Sequence, residues 1–188
     1  MRVPRTGLTT DDVVAAAAEL ADETGYAELT MGLLAGRLGI RTPSLYKHVS
    51  SLADLQHRLA TLALAELGAA AGQAVQGKAG LDALAALLTA GRAYVTAHPG
   101  RYAATVGIKI TGPDDPLLAA SERVVATFAA VLRGYGIADD DMDHAIRAVR
   151  ATLHGFALLE MSGGFQRSTK PDESFDWLIR FVDRGLTT

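Results

Sequence analysis

The sequence predicts an all-α chain of about nine helices. Three observations carry this. Alanine, the strongest intrinsic helix former, supplies 34 of 188 residues. Apolar residues recur at helical spacing, and no stretch sustains the alternation of a half-buried strand, Val106–Ile110 coming nearest. The breaks between periodic segments carry Gly or Pro where helices stop, as in His98-Pro99-Gly100, Thr111-Gly112-Pro113, Tyr135-Gly136-Ile137 and Ser162–Pro171. The composition is 49% hydrophobic, which excludes a disordered chain. At this length folding removes roughly 70% of the unfolded surface, so a real core needs no staples.

The elements follow in order. Thr9 and Asp12 form a capping box for the first helix, with Leu8 and Val13 as its hydrophobic staple and Gly25 as its stop. Thr30 caps a short second helix with Leu34, Ala35 and Leu38 inward, and Gly39 ends it. Thr42 as N-cap and Pro43 at the first helical position open a third, Pro43 to about Val49. Ser51 and Asp54 make a second capping box for a long fourth helix to roughly Val75. Further helices are expected at about Leu81–Ala97, Arg101–Ile110, Asp115–Gly134, Asp139–Met161 and Asp172–Leu186.

Several function classes drop out. The chain has no cysteine, which removes disulfides, Cys-based zinc sites and thiol nucleophiles. The five histidines show no i,i+4 pair suited to a metal. Gly72–Ala79 nearly spells a phosphate loop but lacks the Ser/Thr for Mg²⁺ and a preceding strand, so it reads as a helix end. Asp139–Asp141 reads as a solvated helix start, where carboxylates suit the dipole. No nucleophile–base pair emerges, so neither an enzyme nor a cofactor is expected. No apolar run approaches the ~20 residues that span a bilayer, no h-region follows the N-terminus, and a cytoplasmic location without membrane association is the expectation.

Leu29 to Val49 is the informative stretch. A short helix, a glycine turn and a second short helix are the helix-turn-helix layout. Ala35 is small enough for close approach, Gly39 can take the left-handed turn, and Ile40, Leu45 and Val49 can anchor the second helix. Thr42, Ser44, Tyr46, Lys47 and His48 are left outward, where a recognition helix meets the major groove. A plain helical hairpin with a solvated polar face satisfies the same spacing.

The elements Leu29-Thr30, Leu38-Gly39-Ile40, Ser44-Leu45-Tyr46-Lys47-His48-Val49 and Leu52-Ala53-Asp54-Leu55 together resemble the TetR family of bacterial transcriptional regulators, over about residues 8–60. His98-Pro99, His154-Gly155 and Gly163-Gly164-Phe165 resemble a TetR C-terminal domain of actinobacterial type. The resemblance implies a helix-turn-helix domain over 1–53 and a ligand-binding and dimerisation domain over 54–188. It implies that Thr42, Pro43 and Ser44 face base edges, that Tyr46 and His48 reach phosphates, and that Lys47 contacts phosphate or base, with Thr30 and Arg41 alongside. It further implies a repressor that binds a palindromic double-stranded operator and is released by a small-molecule inducer. Two positions depart from the family pattern: Gly32 and Leu52 stand where basic residues are common. They motivate a second reading, a helical small-molecule-binding dimer without DNA function. Arg2 and Arg5 could compensate as a minor-groove arm.

In the C-terminal part, Met142, Ile146, Val149, Leu153 and Phe156 form a bulky stripe beside a small one of Ala145, Ala148, Thr152 and Gly155. From Leu153 onward the helix is apolar nearly all round, and the last helix adds Trp177 and Phe181 to Phe175, Leu178, Ile179 and Val182. A homodimer through the helices at about 139–161 and 172–186 follows. Tyr94, Tyr102, Lys109, Phe128, His154 and Glu160 are candidate ligand contacts, being polar or aromatic residues in apolar stretches.

The net charge of −3 argues against nucleic acid until it is sorted by position. Between Leu29 and Ala53 there is no acid, while Arg37, Arg41 and Lys47 give +3. The expected reading face is basic within an acidic remainder.

Overall fold

The computed structural model describes residues 7–187; Arg2 and Arg5 of the expected arm lie outside them. Among the described residues there are nine α-helices and no strand. They are α1 (Thr10–Thr24), α2 (Met31–Leu38), α3 (Thr42–Leu45), α4 (Leu52–Val75), α5 (Gly80–Ala97), α6 (Pro99–Ala104), α7 (Pro116–Arg133), α8 (Asp139–Met161) and α9 (Pro171–Leu186), with one 3₁₀ turn at Tyr26–Glu28. No described helix is long and apolar enough to cross a membrane.

The chain forms two compact units, and their division is discontinuous in sequence. Residues 98–118 pack with the N-terminal unit, which otherwise runs to Leu64. The second unit is 65–97 with 119–187.

The N-terminal unit is built on α1. Its capping box is complete: Asp12 N–H donates to Thr9 Oγ1 at 3.1 Å, and Thr9 N–H to the Asp12 carboxylate at 2.9 Å. Thr9 holds the Asp12 carboxyl below its ordinary value. Val13, Ala17, Ala18, Leu20 and Ala21 form the buried stripe. They share one core with Leu34, Leu45, Val49, Leu55 and Leu59. Short residues on α1 allow backbone-close packing, most sharply at α6. A Cβ on Gly100 would lie 2.0 Å from the Ala21 carbonyl oxygen.

Helix α6 ends at Ala104, not at Ile110 as the following Thr111-Gly112-Pro113 break suggested. Gly107 adopts φ +78, a conformation outside the helix, and residues 105–115 are irregular. That loop is tied down by Asp115, whose side chain is almost wholly buried. Its carboxylate accepts from Thr111 N–H (2.8 Å), Thr111 Oγ1 (2.9 Å), Leu117 N–H (2.9 Å) and His57 Nε2 of α4 (2.8 Å). An ionised carboxylate only accepts, so Nε2 carries the proton.

The Thr111 N–H bond first, and then His57, hold the Asp115 carboxyl far below the usual carboxylate range. A depressed folded-state pKa stabilises the fold above the unfolded pKa near 4, and that contribution is lost as pH falls. Asp115→Asn should therefore melt several degrees below the parent protein at pH 5, with the gap narrowing as the pH falls below about 4. Melting curves of the two proteins across that window test this; a constant gap would refute it.

In the second unit, Leu84, Leu87, Leu88, Phe128, Leu132, Val149 and Leu153 supply the core. The close crossing of α5 and α8 is made by Gly91, where an added Cβ would meet Leu153 Cδ2 at 2.5 Å. Gly155, by contrast, has open space before it. Arg92 joins three helices. Its guanidinium donates to Glu160 of α8 through both Nε and Nη2, and through Nη2 to Asp172 of α9 at 2.8 Å. It also lies 4.7 Å from the Phe175 ring centroid and 5.5 Å from that of Phe156. The Glu160 bonds first, outweighing desolvation, raise the Arg92 pKa above its already high ordinary value. Tyr135 Oη donates to Asp183 at 2.6 Å and fastens the α7–α8 turn to α9.

Candidate nucleic-acid interface

The helix-turn-helix is assembled from its caps inward. Thr30 Oγ1 accepts from Leu33 N–H at 3.2 Å and starts α2. Gly39 ends it at φ 67, ψ 28, the left-handed region that glycine enters without a Cβ penalty. Ile40 N–H then donates to the Ala35 carbonyl at 3.0 Å, closing the turn. Leu34 and Leu45 are fully buried and Val49 nearly so, which fixes the second segment against the first.

The recognition segment is shorter in α-form than the expected Pro43–Val49. Arg41, not Thr42, is the N-cap; Thr42 is the first helical residue, and α3 stops at Leu45. The chain keeps winding with mixed hydrogen bonds: Lys47 N–H donates to Ser44 O at 3.4 Å and His48 N–H to Leu45 O at 2.8 Å, both three residues back, while Val49 N–H donates to Leu45 O at 3.1 Å, four back. Arg41, Pro43, Tyr46 and Lys47 are exposed, while Thr42, Ser44 and His48 are half-buried. Thr30 is exposed at the start of α2. The eight candidates thus all have surface on one two-helix element.

Two braces hold the far end of this segment. The His48 carbonyl accepts from Thr10 Oγ1 at 3.3 Å. Ser50 N–H and Oγ donate to Asp54 at 2.8 and 3.0 Å, and Arg58 Nε donates to its other oxygen at 2.8 Å. Partial burial disfavours the charged Asp54 carboxylate, but these bonds outweigh it and hold the pKa below its ordinary value. The expected capping box is therefore split: Asp54 N–H donates to Ser51 Oγ, while the Asp54 carboxylate serves Ser50.

The basic face is smaller than charge counting implied. Arg37 donates to both Glu23 oxygens, at 2.5 and 2.7 Å, and lies 3.5 Å from Glu19. Both acids are on α1, so Arg37 serves the α1–α2 contact and the outward cations of this stretch are Arg41 and Lys47. The i,i+4 spacing of Glu19 and Glu23 was the available signal, but only packing shows which helix faces them.

The ligand candidates are dispersed. Tyr102 is buried on α6 and Lys109 is exposed in the following loop, both in the N-terminal unit. In the second unit Phe128 belongs to the core, Glu160 is held by Arg92, and His154 is half-buried on α8. Tyr94 is buried and donates through Oη to Glu66 at 2.9 Å. Among the described residues no group of three or more His, Cys, Asp or Glu is placed to hold a metal ion.

A glycine-turned pair of short helices on a buried scaffold, with polar side chains outward on the second, defines a helix-turn-helix DNA-binding protein. Residues 13–59 match the bacterial regulatory proteins of the tetR family, and residues 84–182 match the tetracyclin repressor-like C-terminal domain. The chain is 35% identical over 156 residues to an uncharacterized HTH-type transcriptional regulator of Mycobacterium tuberculosis, covering 83% of this chain and 72% of that one. It is 32% identical over 184 residues to the uncharacterized HTH-type regulator YobS of Bacillus subtilis, covering 97% and 95%. The chain belongs to the TetR family of transcriptional regulators.

Solved structures share the fold. A protein of unknown function from Rhodococcus sp. RHA1 superposes with a TM-score of 0.81 at 22% identity, over 100% of both chains. BioQ bound to its double-stranded DNA operator gives 0.68 at 23%, over 96% and 99%. A TetR variant from Acinetobacter baumannii AYE in complex with minocycline gives 0.65 at 23%, over 96% and 93%.

Proposed function

We propose that this regulator is a repressor that binds a palindromic operator as a homodimer and is released by a small-molecule ligand. The outward placement of Thr42, Pro43, Ser44, Tyr46 and Lys47 over a fully buried Leu45 carries the DNA-reading part. Thr42, Pro43 and Ser44 read base edges; Tyr46 and His48 set register on phosphates; Thr30, Arg41 and Lys47 add backbone contacts. BioQ, which shares the fold, was solved on its operator, and the Acinetobacter baumannii TetR variant, which shares it too, was solved with minocycline; both support the reading. Of the six proposed ligand contacts, Tyr94 is the strongest, because its buried hydroxyl already pairs with Glu66 in apolar surroundings.

The dimer rests on α8 and α9. Trp177 and Phe181 are more than half exposed and stack at 5.3 Å with 13° between planes. Leu158, Leu159 and Met161 are exposed on α8, beside an open Gly155. A monomer gains nothing from such a surface, and a two-fold dimer matches a palindrome.

Selection from a random duplex pool at low salt tests the reading. The parent protein should recover an inverted repeat. Lys47→Ala should weaken binding to all duplexes and flatten the salt slope by about 1, while Ser44→Ala should change which sequences are selected. Recovery of no sequence, with no salt-dependent affinity for duplex DNA, would favour the dimer without DNA function that Gly32, Leu52 and the sequestered Arg37 motivate.

A further inference from the structure

Residues 98–104 are remote from the helix-turn-helix in sequence yet belong to its compact unit. Helix α6 meets α1 backbone to backbone at Gly100 and Ala21. The neighbouring Asp22 takes two hydrogen bonds and one ion pair from α6 and its cap. Its Oδ1 accepts from Arg101 N–H at 2.9 Å; Arg101 Nε lies 3.0 Å and His98 Nδ1 3.2 Å from Oδ2. The Asp22 side chain is only 14% exposed, so these contacts are largely sheltered from water.

At the other end of the same helix, Thr10 Oγ1 donates to the His48 carbonyl, and Val13 shares a core with Leu45 and Val49. Between them α1 has no Gly or Pro, a complete capping box and a continuous buried stripe. Twelve residues of helix span roughly 18 Å as one stiff rod. The recognition segment has little regular helix of its own, since α3 is four residues long. Its pose must come from what it leans on.

We infer that Asp22 is a positioning residue for DNA recognition: by clamping α6 to the C-terminal end of α1, it sets the pose of the recognition segment braced on the N-terminal end. This rests on the DNA-reading role of residues 42–48. Asp22 touches no DNA-facing group itself. The signal runs through α1, which makes α6 part of the reading apparatus.

The test uses the full-length chain and a duplex selected by the parent protein. Asp22→Asn keeps the shape and the acceptor for Arg101 N–H but removes the charge. It should weaken that duplex about tenfold, the size of one lost charge-assisted bond. Amide exchange should accelerate at residues 10–14 and 45–49 while residues 55–60 of α4 hold.

Thr10→Val, which removes only the far hydroxyl, completes a cycle. Independent sites at this separation would multiply their losses. Action through one rod predicts a double variant no weaker than the weaker single one. Multiplying losses, unchanged affinity in Asp22→Asn, or exchange changes confined to 98–104 would each overturn the inference. If the parent protein selects no duplex, the DNA reading fails on its own, and the exchange arm alone then decides whether Asp22 controls residues 45–49.

Discussion

Gly100→Ala should destabilise the N-terminal unit by about 3 kcal/mol or more, at the upper end of overpacking costs. The reason is what the new methyl group would meet. It would sit 2.0 Å from the Ala21 oxygen, 2.1 Å from the Ala21 carbonyl carbon and 2.6 Å from Asp22 N. All three are backbone atoms of a helix interior, so no side-chain rotation relieves the clash. Helix α6 has to back away, which opens the burial of Tyr102 and Ala104 and pulls the Arg101 N–H from Asp22. Gly36→Ala is the matched control. Its added Cβ meets nothing within 4 Å, and it should raise stability by about 0.5–1 kcal/mol through helix propensity alone. Denaturant melts of the three proteins measure both. A Gly100→Ala midpoint equal to that of the parent would show that α1 and α6 are not packed as described.

Trp177→Ala and Phe181→Ala should each weaken self-association roughly 30-fold or more, the scale of an aromatic hot spot. Both rings are more than half exposed in the single chain, and they stack on each other rather than into its core. Their loss should therefore change monomer stability by less than about 0.5 kcal/mol. Operator affinity should fall along with dimer population, because two half-sites are then read by two separate chains. Sedimentation over a concentration series, with duplex titrations at matched concentrations, separates the effects. Unchanged sedimentation in both variants would remove α9 from the interface.

The helix boundaries that sequence read well share a local cause. Thr9 with Asp12 and Thr30 with Gly39 act within one turn of themselves. Helix α8 was expected over the bounds it has, Asp139–Met161, because acids at its start and an unbroken periodic stripe are both local. Helix α6 was expected to end six residues further on, because the Gly/Pro break at Thr111-Gly112-Pro113 marks a stop that Gly107, turning left-handed, pre-empts. The recognition segment was overextended for a similar reason. Its residues suit a helix, but its last turn mixes three- and four-residue hydrogen bonds while Leu45 and Val49 sit in the core and His48 and Ser50 are held by α1 and Asp54.

What the sequence determined by itself was the all-α class and the helix-turn-helix layout, written in side chains three or four residues apart, and the family resemblance carried by the motifs between Leu29 and Leu55. Which residues face which was left to the tertiary structure. Arg37 counts as a basic residue of the reading stretch until α1 brings Glu19 and Glu23 to it. Residues 98–118 read as part of the C-terminal half until Gly100 and Asp22 dock them on α1 and Asp115 pins them to α4. Close ion pairs, like hydrogen bonds, form over a few ångströms of space. The partners that neutralise Arg37 lie 14 and 18 positions away along the chain, and those that hold α6 nearly 80. Local spacing carries no record of either, so only the packed chain decides how large the basic face is and how far the DNA-reading unit extends.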